Sequence, residues 1–402
     1  MRGVASARAA LVIAVLAAGA QSGATSARAA AVTVTCGQVI STNITLANDL
    51  TCAGDALSVD TDGVTLNLGG HTIQGNGSGT GITLFPANLD PQITGATVTN
   101  GTIAGFAAAF HLIDTVNPTL SRLILTDDGA APTPVINTDA FNLGLEYVHG
   151  LHITHTQITG SHGPVIEGGI GIFQLTIATT QITGGTMYFS QTIGGPTFTD
   201  DRITDASLDL DIESGTTITG STFTRSPILD NGQGGGFDTF QNNTFTGAGT
   251  ALNIADAGNQ QLTGNTFTGN DIGAVINNSL GDTISGNTFT RNATAGLYFN
   301  TAGSPAGSGD QPGAQLTLAS NTADRNGTHP DGATDPVGNP INAGLYLYTP
   351  NGGATITDNN TSHNSGYGIY ASLSDNFSNT SSNNTSIHDF ARCYPLYTCA
   401  YQ

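Results

Sequence analysis

The stretch SLDLDIES, Ser207 to Ser214, alternates polar and apolar residues without a break. In a β-strand that pattern puts Leu208, Leu210 and Ile212 on one face and Asp209, Asp211 and Glu213 on the other. Neighbouring carboxylates on the outer face then stand about 6.6 Å apart by strand rise. A carboxylate pair at that spacing suits general acid and base work on a glycosidic bond, and the same pair admits Ca²⁺. Adjacent like charges also raise one pKa, as an acid catalyst requires. The competing reading is a solvated acidic face on a chain that is acidic throughout.

Tyrosine supplies the second candidate, because eight of the ten tyrosines lie from Tyr298 onward. In the runs LYFN, LYLY and IYAS, alternation turns Leu297, Leu345 and Ile369 inward and Tyr298, Tyr346 and Tyr370 outward. Two long insertions flank these runs: Thr301 to Gln315 follows the first, and Thr328 to Asn342 precedes the second. Loops of this length in a compact repeat are usually functional or disordered. Outward tyrosines between two such walls are expected to form a sugar-stacking platform, the alternative being an aromatic ladder that only stabilises the stack.

A third group, Leu145 to Gly169, gathers His149, His152, His155 and His162 with Glu146 and Glu167. The two glutamates are 21 residues apart, which would let them face each other on neighbouring strands. His152 and His155 have opposite parity in a strand, which argues against a local metal site.

The elements that must position these residues are set by an internal period. Phe223, Phe245, Phe267 and Phe289 recur every 22 residues, and Asn243, Asn265 and Asn287 keep the same step. Related turns appear at Asn321-Thr322, Asn360-Thr361 and Asn384-Thr385. The runs between them are short, alternating and rich in Thr, Ile and Val, with Gly and Asn as punctuation, which is strand chemistry. Leucine-rich repeats need helical returns, and Gly, Asn and Thr are poor helix formers. Propeller blades need about twice the length. The period therefore predicts an all-β, single-stranded right-handed parallel β-helix with three short strands per 22-residue coil. One Asn per coil would hydrogen-bond along the stack, and the Phe beside it would stack inward.

Residues 1–31 read as a secretory signal peptide: Arg2 and Arg8, an apolar run from Ala9 to Ala20, then small residues ending near Ala29-Ala30-Ala31. Residues 32–402 form the β-helix, and no later apolar run reaches the ~20 residues of a membrane span. The expected location is extracellular. The chain has no lysine and a formal net charge of −20, which repels nucleic acid, anionic lipid and unbridged uronate polymers. Cys36, Cys52, Cys393 and Cys399 suit an oxidising compartment and allow three pairings. A rod keeps its ends too far apart for a disulfide between them, so the expected pairs are Cys36–Cys52 and Cys393–Cys399, each clamping an end coil.

The opening CGQVISTNITLANDLTCAGDALSVDTDGVTLNLGGHTIQG, Cys36 to Gly75, resembles bacterial exported right-handed β-helix proteins of the pectate-lyase-like superfamily. The resemblance implies a carbohydrate site on one exposed parallel sheet, and its members include lyases, hydrolases, epimerases and adhesins. NTDAFN, Asn137 to Asn142, is similar to one block of the polygalacturonase-type hydrolases, but the remaining blocks are scrambled. No lyase motif surrounds any arginine. The expected function is binding of a polysaccharide or surface glycan through the tyrosine face, without an intact catalytic motif. The alternative is a carbohydrate-active enzyme built on Asp209, Asp211 and Glu213.

Overall fold

The computed structural model describes residues 31–86, 92–127, 133–138, 148–160, 163–168, 172–190, 194–211, 215–231, 236–301, 316–349, 353–373 and 379–394. Among these residues every regular element is a β-strand, and the strands pair in parallel, coil upon coil. The chain is a β-solenoid.

The phenylalanine period is the stacking period. Strands Thr222–Thr224, Thr244–Thr246, Thr266–Thr268 and Thr288–Thr290 pair in sequence, with Phe223, Phe245, Phe267 and Phe289 in register. Their rings are fully buried and stack face to face with centroids 5.0, 4.7 and 5.0 Å apart. The flanking threonines point outward, where a β-branched side chain suits a pleated surface.

Beside the phenylalanines runs an amide ladder. The Oδ1 atoms of Asn265, Asn287, Asn321, Asn359 and Asn384 each accept both the backbone N–H and the Nδ2 of the ladder asparagine one coil earlier, at 2.9–3.1 Å. The Nδ2 of Asn265 also donates to the carbonyl of Phe240 at 2.7 Å. These bonds satisfy backbone groups at a buried bend. Where the sequence suggested Asn360, the ladder takes Asn359, and Asn360 is exposed one position on. A second ladder, absent from the sequence reading, runs through Asn270, Asn292, Asn326 and Asn364 and ends on Asp389. The bend residue before Asn265 is Gly264, at φ 68°; a Cβ there would stand 2.5 Å from Asn242 Oδ1.

One wall of the solenoid is a 15-stranded parallel sheet that begins at Gln38–Ile40 and ends at Ala391–Tyr394. The candidate chemistry lies on this wall. At the N-terminal end Cys36 and Cys52 form a disulfide with Cα atoms 5.8 Å apart. At the other end Cys393 is buried and disulfide-bonded, and Cys399 lies outside the described residues.

Candidate functional site

Register across the 15-stranded sheet defines one outward row, one residue per coil. It runs through His111, Asn137, Glu167, Tyr188 and Asp209, then Leu229, Asn253 and Val275, then Tyr298, Tyr346, Tyr370 and Tyr394. The residues flanking each position point into the core: Leu208 and Leu210 around Asp209, and Leu345 and Leu347 around Tyr346, are fully buried. Acids and tyrosines therefore share a single row. Asp209 and Tyr298 stand four coils apart on it, about 19 Å at the inter-strand spacing.

At the acid end, His111, Asn137, Glu167, Tyr188 and Asp209 are all half-buried. Tyr188 sits between Glu167 on one neighbouring strand and Asp209 on the other. Its hydroxyl donates to Oδ2 of Asp211, two residues along from Asp209, at 3.4 Å. Asp209 Oδ1 is buried and has no hydrogen-bond partner. Burial first, and the charge of Asp211 second, push the Asp209 carboxyl above its ordinary pKa. Glu213 lies outside the described residues, as does Glu146. Glu167 has Asn137 and Tyr188 as its strand neighbours, and its expected facing with Glu146 falls outside the described residues.

The tyrosine end departs from the expected open platform. Tyr298 is 7% exposed and Tyr346 only 1%, while Tyr370 is half-buried. The reason is the segment 328–342, which folds over them. Ile341 and Ala333 from this strap pack with Tyr298, Tyr346, Val275 and Ile272 into a second apolar cluster outside the coil. Asp335 anchors the strap: it accepts from the Tyr346 hydroxyl (2.8 Å), from Asn339 Nδ2 (2.9 Å), and from the N–H groups of Val337 and Asn339. Burial pushes this carboxyl up, but those hydrogen bonds outweigh it and hold Asp335 below the ordinary range. Burial pushes Tyr298 up to about 12, with the Asp335 charge adding to it, and burial raises Tyr346 and Tyr370 too. Tyr346 stacks on Tyr370 at 4.3 Å, and Tyr370 on Tyr394 at 5.1 Å. The aromatic row therefore emerges from beneath the strap at Tyr370 and is half-exposed at Tyr394. Of the other expected wall, Thr301–Gln315, all but Thr301 lies outside the described residues.

The histidine group disperses. His149 stacks on Phe173 at 4.5 Å, His152 lies on strand His152–Thr154, His155 occupies a bend at φ 52°, and His162 lies outside the described residues. Among the described residues no three His, Cys, Asp or Glu side chains are grouped to hold a metal ion.

His111, Asn137, Glu167 and Tyr188 were not recognised in the sequence as partners of the acidic strand. A signal existed for two of them, because the 21-residue step from Glu167 reaches Tyr188 and the next reaches Asp209. For His111 and Asn137 there was none, since the coils between them have irregular lengths.

Comparison with solved structures finds the tailspike protein 3 of bacteriophage CBA120, at 13% identity and a TM-score of 0.43 over 89% of this chain and 57% of that one. The chain thus spans little more than half of the tailspike. The A-module of mannuronan C-5 epimerase AlgE4 from Azotobacter vinelandii aligns at 13% identity and a TM-score of 0.33, over 89% of this chain and 87% of the module. A periplasmic alginate epimerase, AlgG, aligns at 12% identity and a TM-score of 0.38, over 82% and 76%. No curated protein matches significantly in sequence. Residues 208–386, from the acidic strand to the last coils, match the family model described as right handed beta helix region.

Proposed function

We propose that the chain is an exported protein that binds a polysaccharide or surface glycan along the acid end of the outward row. The observation that supports this reading is the run His111, Asn137, Glu167, Tyr188 and Asp209, polar groups on five successive strands with an aromatic ring among the carboxylates. A chain of sugars laid along such a row would meet hydrogen-bonding groups at every coil and one flat ring. Export is supported by the Cys36–Cys52 disulfide together with the N-terminal leader pattern. Affinity electrophoresis through gels containing neutral or acidic polysaccharides, with EDTA or with Ca²⁺, tests the reading. Retardation by at least one glycan, lost in Tyr188→Ala, is expected; no retardation by any glycan sinks it.

One observation favours a second reading, glycoside cleavage. Asp209 has a buried and unpartnered oxygen, its pKa is shifted upward by burial and by Asp211, the direction a general acid needs, and Asp211 is the adjacent carboxylate. Release of reducing ends or unsaturated products by the wild type, abolished in Asp209→Asn with binding retained, would establish it. Binding without product release would leave the non-catalytic reading in place.

A further inference from the structure

The net charge of −20 conceals a line of basic side chains. On one row of bend residues, successive coils carry Arg291, Arg325, His363 and His388. Backbone hydrogen bonds set their register: Arg291 N–H donates to Asp324 O, Arg325 N–H to Ser362 O, and His363 N–H to Ile387 O, each one coil further on. All four side chains are exposed. At a coil spacing of about 4.8 Å the line is about 14 Å long.

The backbone makes this placement informative. All four residues have φ between 55° and 58°. That left-handed region favours glycine and asparagine and disfavours longer side chains. The same row carries glycine on two earlier coils, at Gly247 and Gly269. Basic side chains, two arginines and two histidines, therefore stand on four consecutive coils where the bend itself prefers a small residue. Internal pairing accounts for only part of the line. Arg325 bonds Asp324 at 2.6 Å and His363 lies 3.3 Å from the same carboxylate, but Arg291 forms no ion pair with any described residue. Asp389, next to His388, is engaged by Asn364, Thr361 and Ser386. The strap adds one more exposed imidazole, His329, and one exposed carboxylate, Asp331, beside the Arg291 coil.

We propose that this line is a docking stripe for a linear polyanion, a polysaccharide carrying carboxylates or sulfates at regular intervals. Basic groups spaced at the coil repeat, two of them arginines, can follow a line of anionic groups, and release of the polymer's counterions supplies the driving force. The stripe lies on a bend row and not on the outward row of the 15-stranded sheet, so it stands or falls independently of the glycan site above.

The test is retardation of the full chain in gels containing polygalacturonate, dextran sulfate or uncharged dextran, with EDTA present and salt varied. Retardation by a polyanion but not by dextran, weakening as salt rises, is expected; which polymer retards the chain identifies the anionic group. Arg291→Gln with Arg325→Gln should weaken it about tenfold, in line with the loss of two anion contacts. Arg122→Gln, an equal change per site on the other bend row at φ 53°, should leave it unaltered. Glutamine fits such a bend, as Gln174 does at φ 57°. Absence of retardation by both polyanions, or an equal loss in Arg122→Gln, overturns the proposal.

Discussion

The hydroxyl of Tyr346 donates a 2.8 Å hydrogen bond to Oδ2 of Asp335, and this contact closes the 328–342 strap over the aromatic row. The pair decides what the tyrosines can do. While it holds, Tyr298 and Tyr346 are core residues of a second apolar cluster, and the aromatic row reaches solvent at Tyr370 and Tyr394.

Tyr346→Phe keeps the ring and removes the donor, leaving a buried carboxylate short of one bond. A loss of about 1.5–3 kcal/mol is expected for a hydrogen bond to a charged group. Limited proteolysis should show faster cleavage within 328–342, with the remainder of the rod unaffected. Because the folded pKa of Asp335 is depressed, its contribution is present above the unfolded value and fades as pH falls through the folded one. Strap cleavage should therefore also accelerate in acid.

Asn265→Ala would remove an acceptor for the Asn243 amide and a donor to the Phe240 carbonyl, both buried. Orphaning such groups costs about 1–3 kcal/mol each. Thermal unfolding should show a clear drop in Tm, whereas Asn360→Ala, at an exposed position off the ladder, should change little.

Asp201 occupies the same ladder, accepting the Thr180 and Thr199 amides, and burial raises its pKa to about 7. Burial also raises Asp282, to about 6, and Asp238. An acid with a raised folded pKa binds more protons folded than unfolded, so stability falls as pH rises from about 4 to about 7. The Tm at about pH 5 should exceed that at about pH 8 by several degrees. Asp201→Asn should shrink that difference; a Tm that rises with pH would contradict the account.

Reduction of Cys36–Cys52 opens a loop with a sequence separation of 16. Loop-closure entropy puts the loss near 3 kcal/mol. Hydrogen exchange should locate the loosening in the first coils, with the phenylalanine stack still protected.

Much of the architecture was legible in the sequence because a solenoid repeats one local solution. The 22-residue recurrence of Phe and Asn states which side chains stack, and neither Phe245 nor Asn265 needs long-range information to be placed. Alternation likewise set the inward and outward parity of Asp209 and Tyr346 correctly. The second ladder, through Asn270 and Asn292, keeps the same step and was open to the same reasoning.

Two matters belonged to the tertiary structure alone. Which strands neighbour one another where coil lengths vary depends on how many residues each turn spends, and local pattern does not encode that. Thus His111 and Asn137 join the row of Glu167 only once the coils are wound. Solvent exposure is the other. Parity says that Tyr346 points away from the core of its coil, but a side chain that leaves one core can enter another. The strap carrying Ile341 and Asp335 made that choice: its position beside the tyrosines is legible in the sequence, but its folding over them is not.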